Sequence, residues 1–259
     1  MKRLAATIAS LSLVASTSLH AEQKSMSVID DVRRDDVRWI APALGKYAEG
    51  PVADLWKRPG LTPRDRSIVT LAAMIARNQT FDFRESLYRA LDNGVKPGEI
   101  SEIITHLAFY SGWSNAMAAL AATKYVFTEL NIGLDQLPQA SPPPLRLDEE
   151  AEAQREQSVG AQFGKVSPGV VKYTTDLLFR DLWLRPDLAP RDRSLVTISA
   201  LIASGQVAQL AAHLTRAMNN GLTAEEAGET LTQLAFTSGW PTVFTAMPIV
   251  KDVIAKRFE

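Results

Sequence analysis

Three polar side chains that could do chemistry recur at helical spacing in the last fifth of the chain: Gln209, His213 and Arg216. Spacings of four and three residues place them together on one face of a helix. An imidazole between an amide and a guanidinium can move a proton beside a bound anion. The pattern favours His213 as the proton-transfer residue, Gln209 as the group that orients its ring and Arg216 as an anion-binding group. The alternative is a solvated polar face without chemistry.

Further candidates for substrate binding stand at the ends of other predicted helices. Arg191 and Arg193 open a helix, where backbone amides also favour an anion. Ser238 and Trp240 surround a glycine at the end of a later helix and could line a pocket. The alternatives are helix capping and surface ion pairing for the arginines, and packing between domains for Trp240. The candidate substrate-binding set is Arg191, Arg193, Arg216, Ser238 and Trp240.

Composition excludes several kinds of chemistry. The 259 residues include no cysteine, which rules out disulfides, thiolate catalysis and cysteine-ligated metal centres. The three histidines leave little for a metal cage, and His106 falls in an apolar helix as a structural residue, so we expect no metal site. With 28 basic and 29 acidic residues and a net charge of -1, nothing favours a nucleic-acid partner.

The chain contains an internal duplication. The segment from Leu55 to Thr70 returns from Leu182 to Thr197, and Leu107–Trp113 returns as Leu234–Trp240, always 127 positions later. Two copies are too few for a solenoid, so each reads as a small domain packed on its twin. The predicted first repeat covers residues 22–133 and the second 151–259. Residues 134–150 form a proline-rich linker.

Periodicity within each repeat is helical. In the first repeat, Thr62 followed by Pro63 and Asp65 predicts a helix start, and further helices are expected over 81–93, from 97 to 112 and over 115–130. Their counterparts are 207–220, 223–239 with a capping box, and 242–258. Nothing alternates with period two for long enough to suggest a sheet. We therefore predict an all-α fold of two tandem helical domains packed as a pseudo-dimer.

The first 21 residues have the layout of a secretory signal. Lys2 and Arg3 precede an apolar run of small residues, and Ala21 precedes the charged Glu22. A buried N-terminal helix is the alternative. We expect cleavage after Ala21 and a periplasmic or secreted protein. No later stretch has the length of a membrane span.

The motifs together resemble the carboxymuconolactone decarboxylase family. They are the segment from Leu55 to Leu61 with the following Arg-Ser, a helix in which His213 stands eight residues before Gly221, then Glu226, and Ser-Gly-Trp-Pro ending at Pro241. The resemblance covers both repeats. It implies an all-α homo-oligomer and cofactor-free decarboxylation in aromatic degradation, and the absence of cysteine excludes the family's peroxidase type.

The same resemblance assigns positions. His213 takes the place of the family's helix histidine, whereas Gln209 and Ser238 stand where the family commonly has glutamate and cysteine. Ser86 holds the histidine position in the first repeat. We expect a cofactor-free decarboxylase or isomerase of a small carboxylated lactone or related aromatic-degradation product, assembled as a homo-oligomer, a trimer by preference. A non-catalytic periplasmic small-molecule-binding or assembly protein is the alternative.

Overall fold

The computed structural model describes residues 34–258, and no β-strand occurs among them. The expected signal segment, residues 1–21, lies outside this range. Within the range, no helix combines the length and apolarity needed to cross a bilayer. The expected all-α fold with two tandem helical repeats is confirmed.

Residues 34–55 form a unit of their own and are described separately. Helix α1 spans Arg34–Ile40 and α2 spans Pro42–Tyr47, which a proline opens. A π-helical turn, Ala48–Val52, and the short helix α3, Ala53–Leu55, complete the unit.

Residues 56–258 contain the remaining helices of both repeats. In the first repeat these are α4 (Pro63–Ala76), α5 (Phe83–Asp92), α6 (Pro97–Tyr110) and α7 (Trp113–Glu129). In the second repeat α8 (Glu149–Phe163) and α9 (Pro168–Tyr173) lead into a π-helical turn, Thr174–Phe179. They are followed by α10 (Pro190–Ala203), α11 (Leu210–Asn219), α12 (Ala224–Ser238) and α13 (Trp240–Phe258).

Local sequence signals explain where these helices begin and end. Thr62 caps α4 by accepting a hydrogen bond from the Asp65 amide, and Thr223 forms the expected capping box with Glu226. Gly94 and its counterpart Gly221 have φ of 89° and 101°, a left-handed conformation that glycine adopts without strain and that ends α5 and α11. The linker contains one 3-10 turn, Leu134–Gln136, before its proline-rich stretch.

The two repeats share one core. Helices α4 and α10 pack against each other at its centre, α6 packs on α10, and α12 packs on α4. Both central helices bury almost their entire length, including polar side chains near their starts. Ser67 accepts a hydrogen bond from Asn93 at 3.0 Å, and Ser194 accepts the matching one from Asn220 at 2.9 Å. The recurring Arg-Ser and Asn-Gly motifs therefore have a structural role.

The last helix of each repeat, α7 or α13, packs on its own repeat and leaves apolar side chains exposed to solvent. Helix α7 contacts α4, α5 and α6, and α13 contacts α10, α11 and α12. Exposed large residues stand at matching positions of the two repeats and form what we call the apolar rows: Phe109, Trp113, Met117 and Leu120 in the first repeat, and Phe236, Trp240, Phe244 and Met247 in the second.

Candidate active site

A cavity of about 580 Å³ lies between α8, the π-helical turn and α11 of the second repeat, and the end of α6 of the first repeat closes it. Its polar lining is Arg155, Ser167, Thr174, Gln206, Gln209, His213, Arg216 and Tyr110. Its apolar wall comes mainly from α8, α9 and the π-helical turn, where Val159, Phe163, Val170, Val171 and Leu178 line it. The cavity thus combines a largely apolar lining with two guanidinium groups.

The three residues of the predicted helix face line this same cavity. Helix α11 begins at Leu210, three residues later than expected, because Val207–Gln209 forms a 3-10 turn. Gln209 is consequently the residue that precedes the helix, while His213 and Arg216 lie within it. The structure brings Gln209, His213 and Arg216 together at the cavity.

His213 is held between aromatic rings and is mostly buried. Its ring stacks on Trp183 with centroids 6.0 Å apart and meets the edge of Tyr110 at 5.3 Å. Burial, and then the charge of Arg216, lower the pKa of His213 to about 4, so the imidazole is neutral at pH 7. Its Nδ1 atom is buried without a hydrogen-bond partner among the described residues, and Gln209 does not bond to it. The orienting role expected for Gln209 is therefore not formed in this structure.

Arg216 presents a guanidinium to the cavity and forms no direct ion pair within residues 34–258, although the nearby carboxylate of Glu152 acts to raise its pKa. Its guanidinium lies 4.7 Å from the ring centroid of Phe179 and 5.1 Å from that of Trp183. Burial lowers its pKa, yet an arginine remains charged at neutral pH. No ion pair joins Arg216 to a carboxylate in residues 34–258. A ligand carboxylate would find here a partly desolvated, unpaired guanidinium.

A second guanidinium, that of Arg155 on α8, lines the cavity next to this site. It donates through Nε and Nη2 to the buried carboxylate of Glu152, at 2.8 and 2.7 Å, and through Nη2 to Thr175 at 3.0 Å. Its Nη1 is buried and makes no hydrogen bond in the described part of the chain. Arg155 thus has a fixed position and a donor to spare. Sequence reasoning missed it, because nothing in its local spacing distinguishes it from other charged helix residues.

The structure places Arg191 and Arg193 at the contact between the repeats and not along the cavity. Arg191 pairs with Asp65 at 2.8 Å and with Glu226, and Arg193 pairs with Glu102 at 2.8 Å. These guanidiniums are already neutralised by protein carboxylates, so a substrate carboxylate would have to displace an ion pair. In this structure both arginines join the repeats, and neither lines the cavity.

Ser238 and Trp240 also lie outside the cavity lining. Ser238 is buried at the end of α12, and its hydroxyl has no partner among the described residues. Trp240 is half-exposed at the start of α13, with its ring edge-on to Phe236 at 4.9 Å. Neither residue is among those that line the cavity around His213. The structure gives no support for their expected substrate contacts.

The first repeat has no histidine at the position that matches His213. Ser86 stands at the position of His213 and Asp82 at that of Gln209. The arginine–tryptophan contact is nevertheless duplicated: Arg89 lies 4.8 Å from the Trp56 ring centroid, as Arg216 lies over Trp183. Only the second repeat combines an arginine on tryptophan with a histidine.

His106 is structural, as expected, but it also supports the site. It is fully buried, with Nε2 2.8 Å from the Thr197 hydroxyl, and burial lowers its pKa well below the usual value. Its ring stacks on Tyr110 with centroids 4.7 Å apart. Two further residues that contact His213, the cavity residue Tyr110 and the neighbouring Trp183, were not singled out from the sequence. The difference between Tyr110 and its counterpart Thr237, inside an otherwise repeated motif, is the signal that could have identified Tyr110.

Metal ligands are not assembled at this site. Within residues 34–258, no three histidine or acidic side chains cluster in a way that could hold an ion. The chemistry that the cavity residues themselves can perform is anion binding by Arg155 and Arg216, and proton transfer by His213.

Comparison with known proteins assigns both repeats to one family. The sequence profile of the family described as the carboxymuconolactone decarboxylase family matches residues 42–125 and again 168–252. A 4-carboxymuconolactone decarboxylase of Acinetobacter baylyi is 31% identical over 114 residues, which are 44% of this chain and 80% of that protein. The nitrosuccinic acid decarboxylase npaB of Metarhizium robertsii is 26% identical over 102 residues, 39% of this chain and 71% of its own. The chain belongs to the carboxymuconolactone decarboxylase family.

Proposed function

We propose that this protein is a decarboxylase, a lyase that removes CO2 from a small carboxylic acid in the cavity of the second repeat. One observation carries the proposal: an unpaired guanidinium and a neutral imidazole face the same largely apolar cavity. The decarboxylase names of two relatives support the reaction class. We propose a carboxylated lactone or a related aromatic-degradation product as the substrate.

The cationic side of the cavity would hold the acid. Arg216 forms no direct ion pair with a carboxylate in the described part of the chain, and the Nη1 group of the neighbouring Arg155 has no hydrogen-bond partner there. Charge-assisted hydrogen bonds from such groups are stronger than neutral ones, most of all where water is scarce. These two residues would bind one carboxylate of a substrate that carries two, so that the other, leaving carboxyl group meets the apolar wall.

Loss of CO2 from such an acid needs no organic cofactor if the electrons have an acceptor. The bond from the ring carbon to the carboxylate breaks, and its electron pair moves through the C=C bond into the lactone carbonyl, giving a dienolate and CO2. A weakly solvated carboxylate loses its charge in this step, which an apolar wall favours. Adding one proton to a carbon of the dienolate then restores the lactone carbonyl and completes the reaction.

His213 would supply that proton. In this structure its pKa of about 4 keeps the imidazole neutral at pH 7. A bound carboxylate places a negative charge nearby and raises the pKa, so that proton uptake accompanies substrate binding. The departing CO2 then leaves an imidazolium next to a carbanion-like centre. Substrate binding thereby converts His213 into its protonated, proton-donating form.

The test measures CO2 release by the purified protein from 4-carboxymuconolactone and from nitrosuccinic acid. Arg216→Met keeps the length of the side chain and removes the charge, so we expect the KM to rise about 10- to 100-fold, the value of a charge-assisted hydrogen bond. Arg89→Met, its counterpart in the first repeat, is the matched control and should leave the KM unchanged. Saturable binding of these acids without CO2 release would instead favour the non-catalytic binding protein.

Assembly and location extend the proposal. The apolar rows repeat at equivalent places in both halves, so copies of the chain could bury them in a closed homo-oligomer, which we propose is a trimer. We further propose that the mature protein begins at Glu22 and acts in the periplasm or outside the cell. Mass spectrometry of the exported protein tests this, and an intact Met1 would contradict it.

A further inference from the structure

Tyr110 is the polar residue that the first repeat contributes, beside Phe109, to a cavity lined otherwise by the second. It ends α6 and lines the cavity with His213 and Arg216. Both repeats carry the motif Leu-Ala-Phe-X-Ser-Gly-Trp, but the variable position is Tyr110 in the first and Thr237 in the second. The aromatic hydroxyl is thus present only in the repeat that faces the imidazole.

Buried neighbours fix the position of this ring. One face stacks on His106 at an interplanar angle of 20°, and His106 is itself held by Thr197 of the second repeat. The ring of Tyr110 also meets His213 and Trp183 at angles of 83° and 82°. A side chain packed in this way has little freedom to turn, so its hydroxyl is preorganised.

The hydroxyl accepts one hydrogen bond and keeps its own proton to give. Trp183 Nε1 donates to the Tyr110 oxygen at 2.9 Å. In the described part of the chain, no acceptor receives the Tyr110 proton. Burial raises the pKa of Tyr110 to about 12, which keeps the phenol protonated at neutral pH. An indole N–H that donates to a phenol oxygen also polarises the O–H bond and makes it a better donor.

We propose that Tyr110 is a second catalytic residue, whose hydroxyl donates a hydrogen bond to the substrate oxygen that gains negative charge as CO2 leaves. The inference rests on the proposed decarboxylation. Tyr110 keeps its proton throughout: the electron pair of the broken bond comes to rest on the carbonyl oxygen, which the O–H stabilises, and His213 protonates the carbon. A preorganised donor of this kind acts where charge develops in the transition state.

This assignment gives the duplication a division of labour. The second repeat supplies the imidazole and both cavity guanidiniums, and the first repeat supplies the donor for the oxyanion. The chain therefore has one composite site, and the first repeat is part of the catalytic machinery although Ser86 replaces its own histidine.

Tyr110→Phe tests the proposal, because it keeps the stacked ring and removes only the hydroxyl. We expect kcat for CO2 release to fall about 10²- to 10³-fold with a KM close to that of the parent, the behaviour of a lost oxyanion donor. Thr237→Val at the matching position is the control and should change neither constant. Thermal unfolding of both variants establishes that the fold is kept. A Tyr110→Phe protein with parental kcat would overturn the proposal.

A binding probe separates this idea from the decarboxylase proposal. The probe is 4-hydroxy-3-nitrobenzoate, which offers a carboxylate to the arginines and a phenol whose ionisation is read by absorbance. We expect the bound phenol to ionise at lower pH in the parent protein than in Tyr110→Phe, and its phenolate to bind about 10-fold more tightly to the parent. Equal probe titrations in the two proteins would refute the Tyr110 role. If the probe titrates differently in the two proteins but neither protein releases CO2 from any acid tested, the decarboxylase proposal is refuted and Tyr110 remains an oxyanion donor in a binding site.

Discussion

Replacing His213 with glutamine should change how stability depends on pH. The pKa of this buried imidazole is about 4 in the folded protein, against 6.5 as its ordinary value in an unfolded chain. Above pH 6.5 both states carry a neutral ring, and the group contributes nothing. As pH falls from 6.5 toward 4, the unfolded chain binds a proton that the folded chain refuses, so the free energy of unfolding decreases. Linkage gives a loss of about 2 kcal/mol at pH 5 and about 3 kcal/mol at pH 4.

The assay is chemical unfolding of the parent and His213→Gln at pH 7.5, 6, 5 and 4. The quantity of interest is the difference between the two proteins at each pH, since the contributions of His106 and of the carboxylates cancel in it. The parent should lose about 3 kcal/mol more than the variant between pH 7.5 and 4. A difference that stays constant with pH would refute the buried, neutral state assigned to His213.

Three further predictions concern the site, the contact between repeats and assembly. Gln209→Glu adds an anion beside His213 and should raise the pKa of His213. The descending limb of kcat/KM against pH, expected near pH 4 in the parent, should therefore move to higher pH. A limb at the same pH in both proteins would contradict this prediction. Glu102→Gln leaves the fully buried Arg193 without its anion and should cost about 3 to 5 kcal/mol in the free energy of unfolding, more than Glu229→Gln at the equivalent but partly exposed place; equal losses in urea titrations would count against this. Light scattering at micromolar concentration should show a trimer, and a monomer would remove the role given to the apolar rows.

Much of the fold could be predicted because the signals are local. The constant shift of 127 residues revealed the duplication, and caps such as Thr62 and Thr223 marked helix starts from neighbouring residues alone. Helical spacing also brought His213 and Arg216 to one face. The exception is the start of α11, where Val207–Gln209 takes a 3-10 turn that the periodicity did not distinguish from an α-helix.

The rest of the site depends on contacts between distant parts of the chain. Arg191 does not line the cavity but pairs with Asp65 of the other repeat, 126 residues away, and no local pattern indicates such a pairing. Arg155 and Tyr110 reach the cavity only once α8 and α6 have packed around α11. Helix spacing can show which residues share a face, but tertiary packing decides what that face meets.

Recurring and differing positions of the two repeats therefore have to be considered separately. Residues that recur in both halves, such as Arg66 and Arg193, pair with Glu229 and Glu102 of the opposite repeat and hold the halves together. At the cavity, His213 and Tyr110 differ from their counterparts Ser86 and Thr237, whereas Arg216 recurs as Arg89.

The most direct test of the central claim compares CO2 release by two single variants at matching positions, His213→Ala and Ser86→Ala. If the second repeat holds the working site, His213→Ala lowers kcat about 10²- to 10⁴-fold, the range for loss of a general acid, and Ser86→Ala leaves it unchanged. Full activity in a folded His213→Ala protein would contradict the account.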